Sequence, residues 1–156
     1  MRRLFIAIEL PDKIKEYLSD IIEDLKKEVD GRFISKDKLH ITILFLGDSK
    51  LSDEEILKRI SSVRFHKEIV LTGLGIFRRA RGNVIFIGIE PDLYDVYTAI
   101  CSRLGIKADK SFSPHITLCR TEKDLDKLSE DVKDYKFYAE KLSLFNSDMK
   151  TYTRIY

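Results

Sequence analysis

Apolar residues recur along this chain with two periods, and the switches between them mark out its elements. Leu4-Phe5-Ile6-Ala7-Ile8-Glu9 suits a buried strand, and Pro11 stops it. Beyond Pro11, which fits the first turn of a helix, Ile14, Tyr17, Leu18, Ile21, Ile22, Leu25 and Val29 return on one helical face, with Gly31 as its end. Phe33-Ile34 and a polar break at Ser35-Lys36-Asp37 lead into the strand Leu39-His40-Ile41-Thr42-Ile43-Leu44-Phe45, which turns at Gly47-Asp48. Ser52-Asp53-Glu54-Glu55 has the form of a capping box before a short helix with Ile56, Leu57, Ile60 and Val63 on its apolar side. A strand from about Glu68 to Phe77 follows.

The pattern then starts again. Ile85-Phe86-Ile87-Gly88-Ile89-Glu90 repeats the opening phrase, and Leu93, Val96, Tyr97, Ile100, Cys101 and Leu104 form a second amphipathic helix closed by Gly105. The strand His115-Ile116-Thr117-Leu118 stands where His40-Ile41-Thr42-Ile43 stood. A helix capped by Thr121, with Leu125, Leu128 and Val132 as its stripe, a strand-like stretch from Tyr135 to Phe145, and an edge strand from Tyr152 to Tyr156 complete the expectation. Each half reads β-α-β-α-β. The fold expected is α+β: one bilobal domain over residues 1–156, with repeats of about 1–80 and 81–156 as pseudo-symmetric lobes. Their antiparallel sheets would flank a central cleft lined by the two histidine strands.

Composition narrows the picture. At 156 residues, 44% apolar and 35% charged, the chain has the size and make-up of one globular domain with its own core. Its apolar runs are too short to span a bilayer and no secretory signal precedes Leu4, so a cytoplasmic monomer without membrane contact is expected. Cys101 and Cys119 then read as two reduced, core-facing thiols. A net charge of +2 does not by itself announce a nucleic-acid partner, so any basic footprint is local.

Candidate chemistry lies in the repeated motif. The chain has three histidines, and two of them, His40 and His115, are followed two positions later by Thr42 and Thr117. Side chains alternate along a strand, so each histidine shares a face with its threonine, about 7 Å away, while Ile41, Ile43, Ile116 and Leu118 anchor the other face. Two opposed imidazoles, titrating near neutrality, can act as base and acid on either side of a phosphorus atom, as in-line displacement requires. Threonine hydroxyls can donate to the non-bridging oxygens. No metal or cofactor is needed. Zinc bound by the two histidines with Cys119 is the rival use, weakened by threonine standing where a further ligand would be expected. His66 lacks such a partner and reads as an exposed residue. Arg78, Arg79 and Arg81 crowd a hairpin that could track an RNA backbone, and Phe45, Phe77, Phe112 or Tyr156 could stack on a base. Arg120 falls on the strand face opposite His115 unless the strand bends.

On these residues the chain resembles the two-histidine phosphoesterase superfamily, and within it the RNA 2′,3′-cyclic phosphodiesterases, also called 2′-5′ RNA ligases. The resemblance runs from Arg3–Pro11 through Leu39–Gly47 and Gly75-Ile76-Phe77 to Phe112–Arg120. It implies hydrolysis of RNA terminal 2′,3′-cyclic phosphates to 2′-phosphates, with RNA ends or small cyclic-phosphate nucleotides as partners. Joining such an end to a 5′-hydroxyl would be the ligase direction. It further implies His40 as proton donor, His115 as proton acceptor, Thr42 and Thr117 as phosphate binders, and Arg120 as a further phosphate contact. Gly82-Asn83 and the absence of tryptophan depart from the family pattern, so contacts outside the motifs stay open. The alternatives are another small cyclic or 2′-5′-linked nucleotide as substrate, a metal-dependent hydrolase, or an RNA-end-binding module without turnover.

Overall fold

The computed structural model describes residues 2–123, 132, 135–147 and, as backbone, 152–154. In chain order its strands are β1 (Leu4–Glu9), β2 (Arg32–Phe33), β3 (His40–Gly47), β4 (Lys67–Phe77), β5 (Asn83–Glu90), β6 (His115–Thr121), β7 (Lys136–Ala139), β8 (Ser143–Ser147) and β9 (Tyr152–Arg154). Helix α1 (Asp12–Leu25) follows β1, α2 (Asp53–Ile60) follows β3, and α3 (Tyr94–Leu104) follows β5. Among the described residues the strands hydrogen-bond, antiparallel throughout, in the order β7-β4-β5-β6-β3-β1-β8-β9, with β2 added beside β6. This is an α+β fold.

The order has a consequence that periodicity along the chain does not show. β4, the last strand of the first half, pairs with β5 and β7 of the second, while β8 from the second half pairs with β1 of the first. Neither half closes its own set of strands. Tyr135 to Phe145, expected as one strand, is divided by Glu140–Leu142 into β7 on one flank and β8 on the other. The tail strand lies at the edge beside β8 as expected, while the helix expected at Leu125–Leu128 falls outside the described residues.

The two sets of strands meet at a narrow seam, where β3 and β6 pair at Ile41 and Ile116. Both isoleucines are wholly buried and point to the side of the sheet that the helices cover. Leu4, Ile6 and Ile8 of β1, Ile85, Ile87 and Ile89 of β5, and the apolar stripes of α1 (Ile14, Leu18, Ile21, Leu25) and α3 (Val96, Ile100, Cys101, Leu104) share that core. Phe5, Ala7 and Phe145 form a small separate cluster on the opposite face. The period of two in the strands therefore sorts a helix-covered side from an open one.

Local signals set the helix limits. Ser52 caps α2 by accepting the Glu55 amide at 3.1 Å. α1 ends at Leu25, well before Gly31, because Gly31 answers a different constraint: a Cβ there would lie 2.6 Å from the Arg120 carbonyl oxygen and 2.8 Å from Cys119 Sγ. The glycine permits the turn after α1 to press against β6. Cys101 and Cys119 are buried free thiols, and burial pushes the Cys119 pKa up to about 11. Among the described residues no helix is long and apolar enough to cross a membrane.

The seam generates a test. Ile41→Ala and Ile116→Ala should each cost about 2–5 kcal/mol in urea unfolding, and the double variant should fall short of the sum, because the pair shares one contact. Strictly additive losses would show that the two sets of strands are held together elsewhere.

Candidate active site

β3 and β6 run antiparallel through Ile41 and Ile116, so a local two-fold relates their motifs, and His40 and His115 lie diagonally across the seam. His40, Thr42, His115 and Thr117 line one cavity of about 500 Å³ on the sheet's open face. The alternation inferred from the motif holds: the histidines and threonines are half-buried at the cavity, while Ile41, Ile43, Ile116 and Leu118 are in the core.

Both imidazoles are fixed the same way. His40 Nδ1–H donates to the Lys38 carbonyl at 2.6 Å, and His115 Nδ1–H donates to the Ser113 carbonyl at 2.8 Å. A carbonyl only accepts, so both rings carry a proton on Nδ1 and leave Nε2 as the nitrogen free to change state. In the neutral ring, His40 Nε2 accepts from the Thr42 hydroxyl at 2.8 Å. Among the described residues no group hydrogen-bonds His115 Nε2.

Phenylalanines back both rings. Phe5 lies 5.0 Å from His40 and stacks on Phe145 at 5.3 Å. Phe86 lies 5.4 Å from His115 and stacks on Phe77 at 4.0 Å, and both present to the imidazole edge-on. Because β4 and β8 change sides, each pair takes one phenylalanine from each half of the chain. Gly75 makes room for the second pair, since a Cβ there would sit 2.4 Å from the Phe86 ring.

The bend that Arg120 required is present. Along β5 and β6, Ile85 pairs with Cys119 but the next residue, Phe86, pairs with Thr117, so Leu118 is a bulged extra residue. The bulge makes Leu118 and Cys119 successive buried positions and returns Arg120 to the cavity side with His115 and Thr117. Cys119, expected on the face of His115, is thereby turned into the core. Among the described residues there is no cluster of three or more side chains that could hold a metal.

Other candidates separate. Arg79 reaches the cavity with its guanidinium 5.3 Å above the Phe77 ring, whereas Arg81 lines a neighbouring hollow. Phe45 is 74% exposed at the cavity and open to stacking. Phe112 packs flat on Tyr97 at 4.1 Å against the core, and Tyr156 lies outside the described residues. His66 is exposed near Glu140. Arg3, Lys38 and Ser147 also line the cavity, and no motif in the sequence marks them. Their signal is tertiary, because β8 pairs with β1 and brings Ser147 beside Arg3.

Both histidines are held below the ordinary imidazole pKa of 6.5, foremost by burial and against the raising effect of their carbonyl partners. His115 and then Lys15 lower His40 further, while Arg79 and Arg120 lower His115. Without an anion the cavity therefore favours two neutral rings at neutral pH.

This geometry defines a class, a symmetric pair of histidine-threonine strands facing one cavity that arginines also line. The chain belongs to the 2′-5′ RNA ligase superfamily, whose profile matches residues 10–150, and so to the two-histidine phosphoesterases. It is 31% identical, over 99% of its own length and 96% of the relative's, to an RNA 2′,3′-cyclic phosphodiesterase of Methanocaldococcus jannaschii. It is 30% identical to a protein of that name from Thermotoga maritima, over 86% of this chain and 78% of that one. In fold it matches the crystal structure of Escherichia coli LigT complexed with NADP+, with a TM-score of 0.83 and 24% identity over 99% of this chain and 95% of LigT.

Replacing His115 by Gln should raise the His40 titration midpoint followed by NMR, because the substitution removes a positive neighbour from the doubly protonated state. An unchanged midpoint would mean that the two rings do not sense one another.

Proposed function

We propose that this protein hydrolyses the terminal 2′,3′-cyclic phosphate of RNA to a 2′-phosphate by histidine acid–base chemistry. The observation that supports this most is the matched pair of Nδ1-anchored imidazoles, both on the cavity that also holds Arg120. The shared name of the similar proteins from M. jannaschii and T. maritima supports the substrate.

In this reading the cyclic phosphodiester sits between the two Nε2 atoms. His115 Nε2 accepts the proton of a water that attacks phosphorus, the bond from phosphorus to the 3′-oxygen breaks in line, and protonated His40 Nε2 gives its proton to that oxygen. The product carries a 2′-phosphate and a free 3′-hydroxyl. A 5′-hydroxyl in place of water would give a 2′-5′ linkage. Arg79 and Arg120 favour a neutral ring at His115, which suits the base. The phosphate charge stabilises an imidazolium at His40, and protonation there ends Nε2's role as acceptor from Thr42. The Thr42 hydroxyl is then available to donate to a non-bridging oxygen, as Thr117 does from the other strand. Arg120 carries charge to the same oxygens.

The pH profile follows from the signs. The active free enzyme has one protonated and one neutral ring, and both pKa values lie below 6.5, so kcat/KM should be bell-shaped with its maximum on the acid side of pH 6.5. It falls as the second proton binds and as the last one leaves. In kcat the upper limb should move to higher pH, because bound phosphate favours the imidazolium. A kcat/KM maximum above pH 7 would contradict this balance.

His40→Ala and His115→Ala should each lower kcat by about 100-fold or more on an oligoribonucleotide ending in a 2′,3′-cyclic phosphate, with EDTA present throughout. Undiminished turnover by either variant would remove the two-histidine mechanism. Binding of such ends by the native protein without product would mark a binding module, and activity abolished by EDTA a metal enzyme.

A further inference from the structure

Beside the histidine cavity lies a second hollow, of about 560 Å³, that the chemistry above does not use. Arg120 lines both. Three segments build it: the turn before β2, the hairpin before β5, and the end of β6. Thr121 ties them by donating to the Asp30 carbonyl at 2.7 Å, and Asn83 by donating to the Lys123 carbonyl at 2.8 Å. Both side chains are buried, so the floor is held by satisfied hydrogen bonds.

Three exposed arginines line the hollow above this floor. Arg32 and Arg120 are direct cross-strand partners on β2 and β6, and Arg81 joins them from the hairpin. Like charges directly opposite across an antiparallel pair repel and destabilise it. Among the described residues Arg32, Arg81 and Arg120 have no carboxylate partner, although two acids also line the hollow: Glu122, and Asp30, which is 95% exposed and 3.9 Å from Lys123. Gly31 lets the turn carrying Arg32 approach β6 closely, which sets Arg32 opposite Arg120. An anion in the hollow relieves that repulsion and gives three planar donors a bidentate target.

We propose that this hollow is a subsite for the phosphodiester immediately 5′ of the terminal nucleotide, making oligoribonucleotide ends rather than mononucleotides the preferred substrates. This rests on the phosphodiesterase reading. Arg120 is the hinge of the argument, since it touches the cavity assigned to the terminal phosphate and the hollow assigned to the next one. An RNA strand running between the two passes Arg120.

The test compares cytidine 2′,3′-cyclic phosphate with a tetraribonucleotide ending in the same group, for the native protein and for the Arg32→Ala/Arg81→Ala double variant. Both residues are exposed, and thermal unfolding checks that the fold is kept. The native protein should favour the tetranucleotide. The double variant should lose about 10-fold or more in kcat/KM on it, stay within about 2-fold on the mononucleotide, and show a shallower log–log salt dependence by about 1. A neutral methylphosphonate at the linkage 5′ of the terminal nucleotide should abolish the advantage in the native protein. Equal losses on both substrates, no loss on either, or an advantage that survives the neutral linkage would overturn the subsite. If neither cyclic phosphate is turned over, the catalytic reading fails on its own. The subsite is then judged by titrating a 3′-phosphorylated tetranucleotide, and equal affinities for native and double variant would overturn it.

Discussion

Everything at the cavity depends on one short contact, the pairing of Ile41 on β3 with Ile116 on β6. It is the point where two sets of strands become one sheet, and the place about which the two histidines are related. The isoleucines supply apolar burial on one face, on the order of 1.5–3 kcal/mol each, and that burial holds the flanking polar side chains toward the other face. A slip of one residue in either strand would send its histidine into the core and an isoleucine into the cavity. The register is guarded by both faces at once.

The exchange of β4 and β8 does for the rings what the seam does for the strands. Each imidazole rests near a phenylalanine pair drawn from both halves of the chain, so each ring's setting needs three neighbouring strands, β3-β1-β8 for His40 and β4-β5-β6 for His115. The same surroundings desolvate the rings and depress their pKa values. Packing and the lowered basicity of the rings therefore have one source here, and Gly75, by admitting Phe86, contributes to both.

Charge is organised in opposition to stability. The chain as a whole carries only +2, yet Arg3, Arg79, Arg120 and Lys38 gather at the cavity, with Arg32, Arg81 and Lys123 next door. Such a concentration of one sign repels itself unless an anion is present. Asp30 and Glu122 also line the neighbouring hollow, while other acids pair away from both sites, for instance Asp53 with Arg2, Glu55 with Arg59 and Asp95 with Lys67. The near-neutral total hides a surface divided by function.

Much of this was legible in the residues. Strand and helix periods located nearly every described element, and the recurrence of His-x-Thr identified the side chains that meet, because a period of two is a local property of one strand. What stayed hidden were facts about partners: that β4 and β8 change sides, that Tyr135 to Phe145 is two strands, and that Arg3 and Ser147 share the cavity. Cys119 and Arg120 show the boundary most clearly. Alternation puts Cys119 with His115 and Arg120 away from it, and a single bulged residue, visible only against β5, reverses both. The chain by itself determined which residues alternate and which motif repeats. Strand pairing decided which of them face one another, since hydrogen bonds between distant segments carry no signature in either segment alone.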